Sequence, residues 1–166
     1  DTIFGTAPST LTAAARWGLP VAFDLLSGPA QLVDNTLTIT GAGTITVRAK
    51  QDGDANHLPA TPVERSFVVT KATAPIVISR LAQTYTGSPR PVVVITTPEG
   101  LPVTVAYDGS TQPPIDAGSY TVVATIEHAD YAGSATTTLV VSKVAQAISF
   151  APVPDHAFGS APVALV

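Results

Sequence analysis

The stretch "SYTVVATIE", residues 119–127, sets alternate side chains on opposite faces of an extended chain. One face carries Tyr, Val, Ala and Ile, and the other carries mainly Ser, Thr and Glu. A strand with a period of two residues buries its apolar face and leaves the other in water. The stretch "TLTIT", residues 36–40, has the same alternation. Both therefore predict half-buried strands of a β-sheet.

The composition extends this prediction to the whole chain of 166 residues. A hydrophobic content of 45% with only 12% charged residues is typical of a folded globular protein. Fifteen Pro and twelve Gly are spread along the chain and leave no room for long helices. Turn signals such as "TPEG", "YDGS" and "DGDAN" separate the apolar runs. We therefore expect an all-β protein built from small β-sandwiches.

The sequence contains internal repeats, which we examined before assigning domains. Three pairs of similar segments occur in the same order, namely "GLPVAFDLLSGPA" (18–30) with "GLPVTVAYDGSTQ" (100–112), "AGTITVRA" (42–49) with "AGSYTVVA" (117–124), and "FVVTKA" (67–72) with "LVVSKV" (139–144). The opening phrase "DTIFGTAPSTLT" also recurs at the end as "DHAFGSAPVALV". This order predicts tandem units.

We divide the chain into a first unit (1–71), a second unit (72–143) and the opening of a third (144–166). The first unit lacks the opening strand that follows each unit-boundary Lys, so we expect the chain to be a window of a longer array. The matching segment 145–151, "AQAISFA", is a spare opening strand. We expect it either to remain unpaired or to complete the first unit of another molecule by head-to-tail strand exchange.

Alternation and β-branching predict the strands of both units. In the first unit they are expected near 10–15, 20–25, 31–33, 36–40, 44–50 and 64–70. In the second unit they are expected near 75–79, 92–96, 102–107, 119–127 and 135–142.

The second unit resembles the MBG repeats, bacterial Ig-like domains of large surface proteins. The matching marks are "YTG" at 85–87, "GLPV" at 100–103, "DAGSYTV" at 116–122 and "YAG" at 131–133. The first unit resembles a related Ig-like repeat but has Ile45 and His57 where the second unit has Tyr120 and Tyr131. The resemblance implies tandem Ig-like β-sandwiches that act as adhesin stalks, spacers or ligand-binding tips.

The sequence lacks the residues that several classes of function require. Cysteine is absent, which excludes disulfides and thiolate metal sites. The net charge of −4 argues against a nucleic-acid partner, and apolar runs such as "VVVI" are too short for membrane insertion. No G-x-S-x-G or S-x-x-K motif or paired carboxylates occur, so we expect a non-enzymatic protein without a cofactor. His57, His128 and His156 stand alone in loops and are interpreted as surface residues.

One oxygen-rich loop is a candidate for calcium. "QDGDANH" places Asp52, Asp54 and Asn56 at the spacing of a Ca²⁺ loop, but the bidentate Glu of such loops is missing. We prefer a solvated turn, with calcium as the alternative. Lys50, Lys71 and Lys143 are the candidates for an isopeptide crosslink, and we interpret them as linker or surface charges instead.

The aromatic residues have both structural and binding interpretations. Tyr120, at the end of "DAGSY", has the spacing of a tyrosine corner, in which the hydroxyl bonds to upstream backbone, and sugar stacking is the alternative. Trp17 is expected to pack against a neighbouring unit. Trp17, Tyr107 and Tyr131 are nevertheless the possible binding aromatics for a glycan or host protein.

These observations predict a structural stalk or spacer repeat of a secreted or cell-surface bacterial adhesin-like protein. Its partners would be the neighbouring Ig-like repeats of the same chain. The alternative is an Ig-like module that binds a glycan or host protein. A binding module should cluster its aromatics at one end, and a spacer should not.

Overall fold

The computed structural model describes residues 2–150 of the chain, and every regular element in that range is a β-strand. This confirms the predicted all-β class and is consistent with Ig-like β-sandwiches. No helix within those residues is long and apolar enough to cross a membrane.

The first unit contains a four-stranded sheet and a three-stranded sheet. The main sheet has the strand order β1-β7-β6-β3, formed by β1 (Thr2–Ile3), β7 (Val63–Thr70), β6 (Gly43–Lys50) and β3 (Ala22–Ser27). The second sheet has the order β2-β5-β4, formed by β2 (Ser9–Thr10), β5 (Thr36–Ile39) and β4 (Ala30–Val33).

The second unit also has a four-stranded main sheet, but two separate strand pairs take the place of the three-stranded second sheet. Its main sheet has the order β10-β15-β13-β12, formed by β10 (Ala82–Thr84), β15 (Ser134–Ser142), β13 (Gly118–Ile126) and β12 (Val103–Tyr107). Two further antiparallel strands form a separate pair, β9 (Ile76–Ser79) and β11 (Val93–Thr96). A short parallel pair joins β8 (Ala72–Thr73) to β14 (Tyr131–Ala132).

Each main sheet ends in a parallel pair between an early strand and the last long strand of its unit. β1 pairs with β7, and β10 pairs with β15. The Phe4 amide donates to the Thr70 carbonyl at 2.9 Å, and the Tyr85 amide donates to the Ser142 carbonyl, also at 2.9 Å. The same backbone connection therefore closes both units.

The two cores differ in how completely they are buried. In the second unit Val122 and Leu139 are both 0% exposed, and Ile78 of β9 packs against their cluster. In the first unit Leu37, Ile45 and Val69 form the buried cluster, whereas Val47 and Phe67 are only half-buried. No strand in the described part of the first unit occupies the place of β9.

Most long strands were predicted within one to three residues of their observed ends, and the short ones were missed. The prediction of a strand at 10–15 was wrong, because only Ser9–Thr10 form one. Residues 11–15 lack the neighbouring strand that pairs with β11 in the second unit. β1, β8, β10 and β14 were not predicted, since two- or three-residue strands carry too little alternation to be recognised.

Tyr120 lies on β13 and reaches back along the chain. Its hydroxyl donates to the Asp116 carbonyl at 2.9 Å. The ring also covers Gly118, where an added Cβ would approach the Tyr120 hydroxyl oxygen to 3.1 Å. This is the geometry of a tyrosine corner, which fixes the loop before β13 to the strand itself.

We predict that Tyr120→Phe destabilises the second unit by about 1 kcal/mol, because the Asp116 carbonyl loses its donor. Urea unfolding followed by circular dichroism measures the change. Tyr85→Phe is the matched control, since it removes the hydroxyl of a tyrosine that is 40% exposed. Equal losses in the two variants would contradict a specific role for the Tyr120 hydroxyl.

Candidate functional site

The junction between the units is the site at which residues distant in sequence converge. It is formed by the first-unit residues Phe4, Ala42 and Lys71 and by the second-unit residues His128, Asp130 and Tyr131. Only Lys71 separates β7 from β8, so the covalent link has little slack.

A charged hydrogen bond joins the two units through backbone and side chain. The Ala42 amide, in the turn between β5 and β6, donates to Asp130 Oδ1 at 2.7 Å. A Cβ on the neighbouring Gly41 would lie 2.9 Å from the same oxygen. Glycine is therefore required at 41 for this close approach. A carboxylate that accepts from a backbone amide forms a stronger bond than a neutral pair.

An aromatic pair lies beside this hydrogen bond. The rings of Phe4 and Tyr131 meet edge to face, with centroids 5.5 Å apart and an interplanar angle of 86°. Such pairs contribute about 0.5–1.5 kcal/mol beyond the apolar area that they bury. The ring of His128 covers another side of Tyr131 at 5.3 Å. Tyr131 is thus held between the units.

Lys71 completes the junction from the linker. Its Nζ donates to the His128 carbonyl at 2.7 Å, and His128 Nδ1 accepts from the Asp130 amide at 3.0 Å. These bonds orient the loop that presents Asp130 to the first unit. The sequence interpretation of Lys71 as a linker charge omitted this contact, and it did not identify Phe4 or Asp130 at all. The recurrence of "Phe-Gly" at 4–5 and 158–159 was the available signal for Phe4.

The candidate calcium loop is closed by its own hydrogen bonds. Asp54 Oδ1 accepts from the Asn56 amide and from His57 Nδ1, each at 2.8 Å. The Asn56 amide, and then the His57 ring, hold the pKa of Asp54 below its ordinary value. Residues 2–150 contain no group of three or more His, Asp or Glu side chains arranged to hold a metal ion. Neither Asp52 nor Asn56 contributes a side-chain hydrogen bond to this turn.

The three candidate binding aromatics are not brought together. Trp17 is 66% exposed and contacts His57 and Arg16 of its own unit. Tyr107 ends β12, within the strand predicted at 102–107, and is only 6% exposed. Its hydroxyl accepts from the Val92 amide at 3.1 Å. Tyr131 lies at the junction.

Of the three candidate crosslinking lysines, Lys50 has a carboxylate partner. Its Nζ lies 3.1 Å from Asp24 Oδ1, while Arg48 binds Asp24 Oδ2 at 2.7 Å. Arg48, and then Lys50, lower the pKa of Asp24, which keeps the carboxylate charged. The cluster is an ion-pair network on the main sheet of the first unit. Lys143 follows β15 and is exposed, and His156 lies outside the described residues.

We predict that Asp130→Ala loosens the junction, because the Ala42 amide loses its acceptor at a cost of about 1–2 kcal/mol. Spin labels at Asp34→Cys and Thr111→Cys report the distance between the units, and the chain has no other Cys. The distance distribution should broaden in the variant.

The matched control for this experiment is Asp108→Ala. Asp108 Oδ1 accepts from the Thr121 amide at 2.7 Å entirely within the second unit. This variant should leave the distribution between the units unchanged. Broadening of the same size in both variants would contradict a specific role for Asp130.

We predict that the loop at Asp54 depends on pH and not on calcium. The melting temperature at pH 7 should be the same with calcium and with a chelator, and stabilisation by calcium would contradict this. Because the pKa of Asp54 is lowered, its bonds stabilise the loop above the ordinary Asp value of 3.8 and are lost as the pH falls through the folded-state value. Hydrogen exchange of the Asn56 amide, relative to that of Ala42, should measure this loss.

Comparison with known proteins identifies one of the two units. Residues 74–145 match the family model of the MBG domain. No curated protein matches the chain. The match spans β9 to β15, the strands of the second main sheet and its covering pair. The second unit is therefore an MBG-type repeat.

Proposed function

We propose that this chain is a load-bearing spacer of a secreted or cell-surface bacterial adhesin-like protein, without a catalytic role. MBG domains are repeats of surface-type proteins, which supports this assignment. The dispersed positions of Trp17, Tyr107 and Tyr131 also favour a spacer over a binding module.

The parallel terminal pairing is the observation that carries the proposal. In β1–β7 and β10–β15 an early strand lies parallel to the last long strand of its unit. Force applied to the two ends of a unit pulls such strands in opposite directions along their length. The hydrogen bonds, including those of Phe4 to Thr70 and Tyr85 to Ser142, are then loaded together in shear. Simultaneous loading resists more force than peeling one bond at a time.

The junction supports the spacing role. β13, with nine residues, extends over about 30 Å, so each unit adds a few nanometres to the array. Lys71, Asp130 and the Phe4–Tyr131 pair restrain the angle at which the next unit continues. Because this angle is restrained, the length of each unit adds to the end-to-end distance of the array.

Single-molecule pulling in two directions tests the proposal. Handles at the two ends of the chain load β10–β15 in shear, whereas handles at Thr111→Cys and Lys143→Cys load the same sheet from one edge, where Gly118 lies opposite Val141. We expect the second unit to unfold at a several-fold lower force in the second geometry. Equal forces in the two directions would contradict a mechanical clamp.

The alternative function, binding of a glycan or host protein, depends on the exposed surface of Trp17 and Arg16. A glycan array probed with the chain and with Trp17→Ala decides between the two. The spacer proposal expects no dose-dependent signal from either. Binding that is lost in Trp17→Ala would replace the spacer function by recognition.

A further inference from the structure

The loop that presents Asp130 to the first unit is held in shape by an imidazole. His128 Nδ1 accepts from the Asp130 amide at 3.0 Å, and Asp130 Oδ1 accepts from the Ala42 amide of the first unit at 2.7 Å. A ring nitrogen accepts a hydrogen bond only while it carries no proton, so this arrangement requires a neutral ring with its proton on Nε2. The contact between the units therefore depends on the charge of His128.

The corresponding loop of the first unit makes the same turn with a different acceptor. Counting back from His57 and Tyr131, which are equivalent positions in the repeat, Asp54 corresponds to His128. Asp54 Oδ1 accepts from the amide two residues further on, that of Asn56, at 2.8 Å. That amide, and then the His57 ring, lower the pKa of Asp54, so its carboxylate remains an acceptor at neutral pH. At the equivalent position the second unit has an acceptor that a proton abolishes.

Protonation of His128 reverses the role of its Nδ1 atom. Histidine is the side chain whose ordinary pKa, about 6.5, lies between pH 5 and 8. The second proton is added at Nδ1, which then faces the Asp130 amide as one donor facing another, and the hydrogen bond is lost. The charged ring instead attracts the Asp130 carboxylate on the same loop, in competition with the Ala42 amide.

The charges around the loop do not restore the lost bond. Lys71 Nζ donates to the His128 carbonyl at 2.7 Å, so a charged ring adds a second positive charge beside the linker lysine. Glu127 precedes the histidine and is exposed. Phe4 and Ala42, the other first-unit residues of the junction, have no titratable side chain. The first unit therefore supplies no carboxylate at this junction to hold the charged ring in place.

Other contacts keep the units attached when this bond is lost. The Ala72 amide donates to the Asp130 carbonyl at 2.9 Å, and the pairing of β8 with β14 holds the backbone of Tyr131. A charged imidazole can keep its contact with the Tyr131 ring, whose centroid is 5.3 Å away, because aromatic faces attract cations. A tyrosine hydroxyl is itself neutral in this range of pH. Loss of the bond between Asp130 and Ala42 therefore loosens the junction without separating the units.

We propose that His128 makes the junction a pH-sensitive joint. With a neutral ring, Asp130 binds the Ala42 amide and the angle between the units is restrained. With a charged ring, the Asp130 carboxylate turns towards the imidazole and the angle becomes variable. Because the restrained form requires the neutral ring, it is present above the ordinary histidine value and is lost as the pH falls below it. The joint regulates the reach of the proposed spacer, on which its biological meaning rests.

Spin labels at Asp34→Cys and Thr111→Cys measure the joint at about pH 7.5 and about pH 5.5, on either side of the histidine value. We expect the distance distribution between the units to be narrow at the higher pH and broad at the lower one. An ordinary aspartate stays charged at both values, so the interval isolates the protonation of histidine.

His128→Asn is the decisive variant. An Asn side chain accepts from the amide two residues further on, as Asp54 does in the first unit, and it does not titrate. The distribution of this variant should stay narrow at both values. His57→Asn is the matched control, since His57 Nδ1 lies 2.8 Å from Asp54 Oδ1 within the first unit. It should broaden in acid as the labelled parent chain does.

Solution NMR identifies the group that titrates. The Ala42 amide proton and the His128 ring protons should shift with one common midpoint, and the Ala42 shift should be lost in His128→Asn. A distribution independent of pH in the parent chain, broadening that persists in His128→Asn, or an Ala42 amide that does not follow the His128 ring would overturn the proposal. Pulling experiments fail or succeed separately, because equal forces in the two directions would contradict the mechanical clamp and leave the pH response of the junction unchanged.

Discussion

The apolar face of a four-stranded sheet must be covered, and the two units meet this constraint with different strands. The second unit covers Val122 and Leu139 with Ile78 of β9 and with Val92, which precedes β11. The first unit covers Ile45 and Val69 with the β4–β5 hairpin, which contributes Leu37, but leaves Val47 and Phe67 half-buried. Since burial of apolar area is the main stabilising contribution to a small sandwich, we expect the described core of the second unit to be the more strongly stabilised of the two.

Within each unit the same sheet order brings the early and last long strands into parallel contact. Backbone hydrogen bonds that are common to both units make this contact, so it does not depend on side-chain identity at those positions. The junction, by contrast, depends on particular side chains. The hydrogen bond of Asp130 to the Ala42 amide requires a close approach that the absence of a side chain at Gly41 permits. The aromatic contact requires both the Phe4 ring and the Tyr131 ring. Units of one architecture are thus joined by contacts specific to this pair.

The sequence by itself determined the all-β class, the repeat and the long strands, because alternation and β-branching are local properties of "SYTVVATIE" and its counterparts. The hydroxyl bond of Tyr120 spans only four residues, so local spacing was sufficient to suggest it. Only the tertiary structure placed Asp130 against Ala42, buried Tyr107 and separated the three aromatics. Those outcomes depend on contacts between residues far apart in the chain, and spacing along a sequence does not record which distant surfaces meet.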